Sequence, residues 1–160
     1  MKELLTTQYN LIKSAREVLI SYCRTMQPTD PFKQVPEFDD KSIAYLLNHS
    51  ANTYLHWLHY FDLEIAGTYF GEGEDTGVFK DITFRYEQID ILVANFLERH
   101  TDDLLQTFTK KWPGKDKYVT TNPLQLFTHV ITHEFHHKGQ ILTMSRLLGY
   151  LPVDTDVIRT

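Results

Sequence analysis

Apolar side chains recur at steps of three and four along most of the chain, which is the spacing of amphipathic helices. The pattern predicts a first helix over about residues 2–26 and a second that continues towards Thr68. It predicts a third helix over about residues 78–100 and a fourth that starts at Pro123, after Thr121 or Asn122. Prolines at positions 28, 31 and 36 interrupt the first connection, and Asp39, Asp40 or Ser42 is expected to cap the second helix.

Two short β-prone runs precede the fourth helix, at residues 104–109 and 117–120. A Trp-Pro-Gly-Lys turn at residues 112–115 separates them, so we expect a small hairpin there. Glycines at positions 71, 73 and 77 predict a flexible turn between the second and third helices. Four long helices with short connections predict an all-α fold, a four-helix bundle with this hairpin before the last helix.

Composition narrows the class of protein. The 160 residues fit one domain spanning the whole chain, residues 1–160. Sixteen Lys and Arg against 21 Asp and Glu give a net charge of −5, which argues against nucleic acid or an anionic membrane as partner. A single cysteine, Cys23, excludes an internal disulfide framework and favours a reducing compartment. Without an apolar run of about 18 residues or a signal-peptide core, we expect a cytoplasmic protein.

Histidines are concentrated in the fourth helix. Four of the eight in the chain lie between positions 129 and 137. Positions four apart share one face of a helix, about 5 to 6 Å apart at Cβ, so His129, His133 and His137 form one row. Two neighbours in that row are close enough to bind the same ion.

His133 and His137 also fall on the apolar face of this helix. Helical steps place them in line with Leu126, Val130 and Met144, where the core of a bundle is expected. A single inward histidine is more often a hydrogen-bonded core residue than a metal ligand. Two at i and i+4 on the same face favour metal ligands instead.

A third ligand is expected from another helix, and His49 is the candidate. It lies at the edge of the apolar stripe of the second helix. At about 1.5 Å per residue, His49 lies roughly 13 Å into its helix, and the His133/His137 pair roughly 19 Å into the fourth. These two distances from the helix starts place His49 and the His133/His137 pair at similar heights if the two helices run parallel. His56 is ambiguous by position, whereas His59 and His100 are expected to be exposed.

Three neutral imidazoles leave at least one position open on a divalent ion, which is the arrangement of a catalytic site. Zinc suits three nitrogen ligands, and the ligand type is equally compatible with nickel, iron(II) or cobalt. Such an ion acidifies a bound water towards about pH 7 and deprotonates a thiol, so hydrolysis or thiolate delivery are the natural activities.

The residues that carry this prediction resemble the DinB family of four-helix metal proteins. The resemblance rests on Asn48-His49 in the second helix, on the segment from His133 to Ile141, and on Arg146-Leu147-Leu148-Gly149. It implies a nickel or zinc ion held by His49, His133 and His137, with His129 and His136 beside the site. It also implies a homodimer and, in some members, metal-dependent transfer of a low-molecular-weight thiol to an electrophile. Lys138 stands where arginine is common in the family, a difference of little weight if the side chain faces solvent.

Two alternatives remain open. One is a bundle without catalytic activity, whose metal is structural and has a fourth protein ligand or whose pocket only binds a ligand. The other is a zinc metalloprotease, because residues 133–137 satisfy H-E-x-x-H with Glu134 as general base. Two features count against the protease: the chain has no histidine after His137, and it has no second lobe to form a peptide cleft. With His49 as third ligand, Glu134 would project about 100° away from His133, either supporting a ligand or lying on the surface.

Other positions near the histidines have two interpretations each. Gly139 marks either a close helix approach or tolerance of a missing side chain, and Gln140 either orients a ligand or is solvated. Aromatic residues at helical spacing favour core packing over the wall of a pocket; they are Tyr54, Trp57, Phe61, Phe84, Phe96 and Phe127. Cys23 has no identifiable base beside it, so no nucleophilic triad is expected.

Overall fold

A computed structural model describes residues 1–71 and 79–159. Over these residues the protein is mostly helical, with four α-helices and one two-stranded antiparallel sheet. The helices are α1 (Lys2–Cys23), α2 (Ile43–Leu55), α3 (Phe79–Arg99) and α4 (Pro123–Leu147). The strands are β1 (Phe108–Lys111) and β2 (Tyr118–Thr121). No helix in the described ranges combines the length and apolarity that crossing a membrane requires.

The connection from α1 to α2 is short and irregular. Helix α1 ends at Cys23, three residues earlier than predicted, and 3-10 turns follow at Asp30–Phe32 and Pro36–Phe38. Asp39 and Asp40 then adopt left-handed backbone conformations, with φ of 53° and 56°, and not the extended conformation typical of the residue that caps the start of a helix. Ser42 is the cap, because its hydroxyl accepts a hydrogen bond from the Tyr45 amide at 3.0 Å.

Helix α2 passes into a π-helical turn, His56–Phe61. The helical path ends at Glu64, whose φ is 53°. The Glu64 amide bonds to the carbonyl of Phe61, and the Ile65 amide to that of Tyr60, the pattern that closes a helix at a left-handed residue. The predicted continuation to Thr68 is therefore wrong, because this left-handed residue stops the helix.

Helix α3 is described from Phe79 onwards and ends at Arg99, one residue before the predicted end. Of its apolar positions, Ile89, Val93, Phe96 and Leu97 are buried, but Phe84 is 60% exposed. Of the three predicted turn glycines, Gly73 and Gly77 lie outside the described residues.

The predicted hairpin is present, with its first strand displaced along the chain. Phe108 pairs with Thr121, and Lys111 with Tyr118. Leu104 instead packs into the hydrophobic core, and its carbonyl accepts a hydrogen bond from the Leu124 amide. Helix α4 starts as predicted, because the Asn122 side chain accepts a hydrogen bond from the Gln125 amide at 2.9 Å and Pro123 follows it.

The core lies between the helices. Helix α2 contacts both α3 and α4, and α1 also contacts both. Tyr54, Phe61, Phe96 and Phe127 are fully buried, which confirms core packing for most of the aromatic residues considered. The four-helix-bundle topology stays a prediction.

Candidate metal centre

Two histidines of α4 lie on one face, as their spacing predicts. His137 is buried and His133 is half-buried. Their ring centroids are 4.4 Å apart. Because Val130 and Met144 on the same face are fully buried, the two imidazoles lie against the core.

Helix α2 brings His49 to this pair. The His49 ring centroid is 5.3 Å from that of His133 and 5.0 Å from that of His137. Each of the three residues offers one ring nitrogen, and these nitrogens all lie within 4.8 Å of one another. Tyr45, one helical turn before His49, stacks its ring parallel to the His49 ring at 6.0 Å. The three residues predicted as ligands are therefore brought together and could hold a metal ion.

The hydrogen bonds of the rings leave nitrogens available. His137 donates from Nδ1 to Oε1 of Gln140 at 2.6 Å, which leaves Nε2 with its lone pair. Among the described residues, neither His137 Nε2 nor His133 Nδ1 has a hydrogen-bond partner, although both atoms are buried. Burying a polar atom without a partner costs about 1–3 kcal/mol. A metal ion with a nitrogen preference satisfies such atoms, so the donor set fits a bound ion.

Burial also favours the neutral form of the His133 and His137 rings. It lowers the pKa of His133 to about 4, with further lowering from His137 and His49. Burial lowers the pKa of His137 as well, and the hydrogen bond to Gln140 only partly offsets it. Since a metal ligand must be the neutral imidazole, His133 and His137 are ready to bind at neutral pH.

An open cleft of about 420 Å³ adjoins two of the three histidines. His49 and His133 form part of its wall, so a ligand in the cleft reaches the centre from one side. Its other lining residues come from α2, the π-helical turn, the segment after it, the hairpin and α4: Asn52, Thr53, His56, Trp57, Tyr69, Trp112 and His129.

Aromatic rings form much of this cleft. Trp57 and Trp112 meet edge to face, with ring centroids 5.0 Å apart. His56 packs against both, at 4.8 Å and 5.5 Å, and its Nδ1 lies 2.7 Å from the Tyr69 hydroxyl. The position of His56, ambiguous in the sequence, is thus in the cleft wall. Sequence periodicity could not place Trp112 there, because it comes from the hairpin.

Asn52 fixes the segment that carries Tyr69. Its Nδ2 donates to the carbonyl of Phe70, and its Oδ1 accepts from the Phe70 amide, both at 2.8 Å. This paired contact ties residues 68–71 to α2 beside the cleft. No sequence pattern indicated it, because the side-chain amide matches a backbone unit that lies 18 positions later.

Glu134 does not face the three histidines. Its carboxylate is buried and accepts two hydrogen bonds from Arg16, at 2.7 Å and 3.2 Å, and one from the Tyr54 hydroxyl at 2.6 Å. Of the two alternatives considered for Glu134, the surface position is wrong, because α4 turns this residue into the core. A carboxylate occupied by these three hydrogen bonds is unsuited to the general-base role of an H-E-x-x-H protease.

The remaining histidines lie outside the cluster. His129 is exposed, with its ring edge-on to Trp57 at 5.3 Å, and His136 is exposed beside His137. His100 was expected to be exposed, but it is half-buried and bonds to Asp62 and Asp103, each at 2.9 Å. His59 is half-buried next to Tyr60.

The structure also shows the surroundings of Lys138, Gly139 and Cys23. Lys138 is buried and not solvent-facing, because its ammonium donates to the Thr155 carbonyl at 2.9 Å. A Cβ added at Gly139 meets no atom within 4 Å, so the close-approach interpretation is wrong. Burial raises the pKa of the Cys23 thiol to about 12, so this cysteine is no nucleophile at neutral pH.

Sequence comparison adds one finding to this geometry. A model of the DinB family matches residues 1–160, the whole length of the chain. No curated protein matches the chain.

Proposed function

The chain belongs to the DinB family, and on that premise we propose that His49, His133 and His137 hold one divalent transition-metal ion. The observation that carries the proposal is the convergence of three imidazole nitrogens from two helices within 4.8 Å. Two buried ring nitrogens without partners among the described residues support it.

Nickel and zinc are the metals that we propose first, with iron(II) and cobalt as further candidates, because imidazole suits all of them. When bound, such an ion supplies Lewis-acid chemistry that lowers the pKa of a water or thiol. The three-histidine donor set leaves room for that ligand, since a structural zinc site has four protein ligands. Within residues 1–71 and 79–159, the group of converging ligands has only three members.

We propose that the cleft binds a small molecule and that the protein is a metal-dependent enzyme. The reaction classes that suit the site are transfer of a low-molecular-weight thiol to an electrophile and hydrolysis of a small molecule. Trp57 and Trp112 provide apolar surface that excludes water from one side of the reacting groups. His56 keeps Nε2 without a partner among the described residues while Tyr69 occupies Nδ1, so this ring can orient a polar group.

Several wider features belong to the same proposal. The four helices form a single-domain bundle, and the protein acts as a homodimer in the cytoplasm, without nucleic acid or membrane as partner. A structural metal without catalysis is the second hypothesis, and a fourth protein ligand would favour it. The exposed position of His129 supports the open site instead.

The direct test is metal content. We expect purified protein to bind about one equivalent of nickel or zinc, and His49→Ala or His137→Ala to abolish this binding because two imidazoles hold the ion poorly. His129→Ala is the matched control and should bind as the wild type does. Metal analysis after dialysis and isothermal titration measure metal binding in the wild type and in each variant. When its free concentration is 100 times the Kd, the ion should also raise the free energy of unfolding of the wild type by about 2.7 kcal/mol, which thermal unfolding measures.

Full metal content in His49→Ala would refute the proposed ligand set. To test the enzyme, thiols are screened against electrophiles, and esters against hydrolysis, with metal-loaded and metal-stripped protein. Turnover that requires both the metal and His137 supports the enzyme, whereas its absence across both classes favours the structural metal.

A further inference from the structure

A buried ion pair lies in the core beside the three-histidine centre. The side chains of Arg16 and Glu134 are 3% and 9% exposed, and Arg16 Nε donates to Oε1 of Glu134 at 2.7 Å. A second nitrogen of Arg16 donates to Oε2 at 3.2 Å, so the contact is bidentate. Such a contact fixes the direction of both side chains as well as their separation.

The ion pair is part of a network that involves every α-helix. From α2, Tyr54 donates to Oε2 of Glu134 at 2.6 Å. From α3, Asp90 accepts from Arg16 at 2.8 Å, and the Tyr86 ring lies 4.4 Å below the guanidinium. From α1, Tyr9 accepts from Arg16 at 3.0 Å and donates to Asp90 at 2.8 Å. Glu134 is the member contributed by α4.

Glu134 follows His133 directly, and Tyr54 lies five positions after His49. The Tyr54–Glu134 hydrogen bond therefore joins the two helices that carry the imidazoles, about 100° around α4 from His133 and about 60° from His137. The convergence of the imidazoles depends on the rotation of α4 about its axis. Side-chain atoms lie about 5–6 Å from a helix axis, so a rotation of roughly 20° moves a ring nitrogen by about 2 Å. That displacement is as large as a metal–nitrogen bond, about 2.0–2.1 Å.

We propose that Glu134, held by Arg16 and Tyr54, is a positioning residue that fixes the rotation of α4 so that His133 and His137 converge with His49. The inference rests on the proposed metal site and assigns a role to the acidic residue between its ligands. Glu134 touches neither ion nor substrate in this role. It acts through the helix that it shares with two imidazoles.

A stabilising role alone does not account for an ion pair at this place. Replacing a buried ion pair by well-packed apolar residues is often neutral or stabilising, because desolvation of the charges offsets their attraction. Directional contacts add geometric specificity, which selects one rotation among several of similar packing energy. The bidentate Arg16 contact and the Tyr54 hydroxyl are directional in this sense.

The experiment compares two buried carboxylates. Glu134→Gln removes the charge and keeps the shape, and Asp62→Asn does the same in another arginine-paired cluster that lies at the end of the π-helical turn. We expect both variants to lose stability in urea unfolding. Only Glu134→Gln should weaken nickel and zinc binding, by tenfold or more, while Asp62→Asn stays within about twofold of the wild type. Equal affinity in folded Glu134→Gln and wild-type protein would overturn the proposal.

A metal-free measurement separates this inference from the proposed function. In apo protein, nuclear Overhauser contacts between the ring protons of His49 and His137, whose centroids are 5.0 Å apart, report the convergence directly. We expect these contacts in the wild type and in Asp62→Asn, and their loss in Glu134→Gln. If wild-type protein binds no metal, the proposed function fails, and the ring contacts still decide the positioning role.

Tyr54→Phe covers the case in which Glu134→Gln does not fold. It removes one hydrogen bond to Oε2 and leaves the ion pair intact. We expect a loss of about threefold in metal affinity and weaker ring contacts, with the apo protein still folded. Wild-type affinity together with undiminished ring contacts in Tyr54→Phe would contradict the role assigned to Glu134.

Discussion

Gln140 determines which nitrogen of His137 carries the proton. Its Oε1 accepts from Nδ1 at 2.6 Å, one helical turn after His137 on the same helix. A ligand histidine usually donates its second nitrogen to such an acceptor, which fixes the tautomer and the ring orientation. The interpretation of Gln140 as a ligand-orienting residue therefore fits the structure better than that of a solvated side chain.

Gln140→Leu should lower metal affinity by about 10- to 100-fold, the usual effect of losing such a partner. The reason is that the ring of His137 becomes free to rotate and to change tautomer. Isothermal titration with zinc measures the change. Thr143→Ala is the control on the same helix, because its hydroxyl is exposed and donates to the Gly139 carbonyl. An affinity for Gln140→Leu within twofold of the wild type would show that Gln140 has no such role.

Gly139→Ala should raise the free energy of unfolding by about 0.5–1 kcal/mol, because Gly139 lies inside α4 and an added Cβ meets no neighbour. Metal binding should not change. Gly149→Ala is the contrasting variant, since Gly149 has a φ of 90° and ends α4 in a left-handed conformation. That variant should be destabilised. Urea unfolding of the two variants measures the effects, and destabilisation by Gly139→Ala would contradict the open environment described here.

At the scale of elements, the starts of α2 and α4 depend on single polar side chains. Ser42→Ala and Asn122→Ala should each cost about 1 kcal/mol in the free energy of unfolding, because an amide of the first turn loses its acceptor. Asn122→Asp keeps an acceptor and should retain wild-type stability. If Asn122→Ala unfolds at the same urea concentration as the wild type, the cap makes no net contribution.

The start of α4 was predictable because its signal is local, an Asn-Pro pair before an apolar periodic run. The end of α2 could not be predicted from a local signal of this kind. The left-handed residue there is Glu64 itself, and the nearest glycine, Gly67, lies three positions later, so no glycine or proline marks the position of the turn. Phe84 shows a similar limit, because periodicity finds an apolar stripe but not where the neighbouring helices leave it uncovered.

At the scale of the whole molecule, Asp62 joins three elements. Its buried carboxylate, at the end of the π-helical turn, pairs with Arg99 of α3 and with His100 just after it, each at 2.9 Å. Lys110 of β1 lies 3.6 Å away. The hydrogen bond to Asp62 is the main cause of the raised pKa of His100, partly offset by burial. The hairpin that carries Trp112 is thus attached to the helices through a titrating cluster.

A raised pKa in the folded state means that protonated His100 stabilises the fold. This contribution is complete below the pKa of about 6.5 in the unfolded chain and disappears as pH rises through the raised folded-state pKa. The difference in unfolding free energy between wild type and His100→Gln should therefore be larger at pH 5.5 than at pH 8.5. Urea titrations across this range measure it, and a difference independent of pH would refute the charged pair.

How much of the candidate site the sequence predicts depends on separation along the chain. The His133/His137 pair follows from helical spacing alone, and His49 from one helix position and a family resemblance. The partner of Glu134 lies 118 positions away in α1, and no local pattern links the two residues. The same H-E-x-x-H sequence pattern fits either a protease with Glu134 as general base or a buried Glu134 that pairs with Arg16. Only the packing of the helices distinguishes the two.

The π-helical turn has a consequence for how this chain compares with others. A π-helical turn holds one residue more than the α-helical turn that it replaces. The residues after it therefore point in different directions about the helix axis than they would in a regular continuation of α2. Deleting one residue within 56–60 would restore a regular helix and leave Phe61 and Asp62 on their present faces. The same deletion before His49 would turn that imidazole by about 100°. Aligned against a chain with an uninterrupted helix, this sequence would need a single-position gap at that turn and nowhere else in α2.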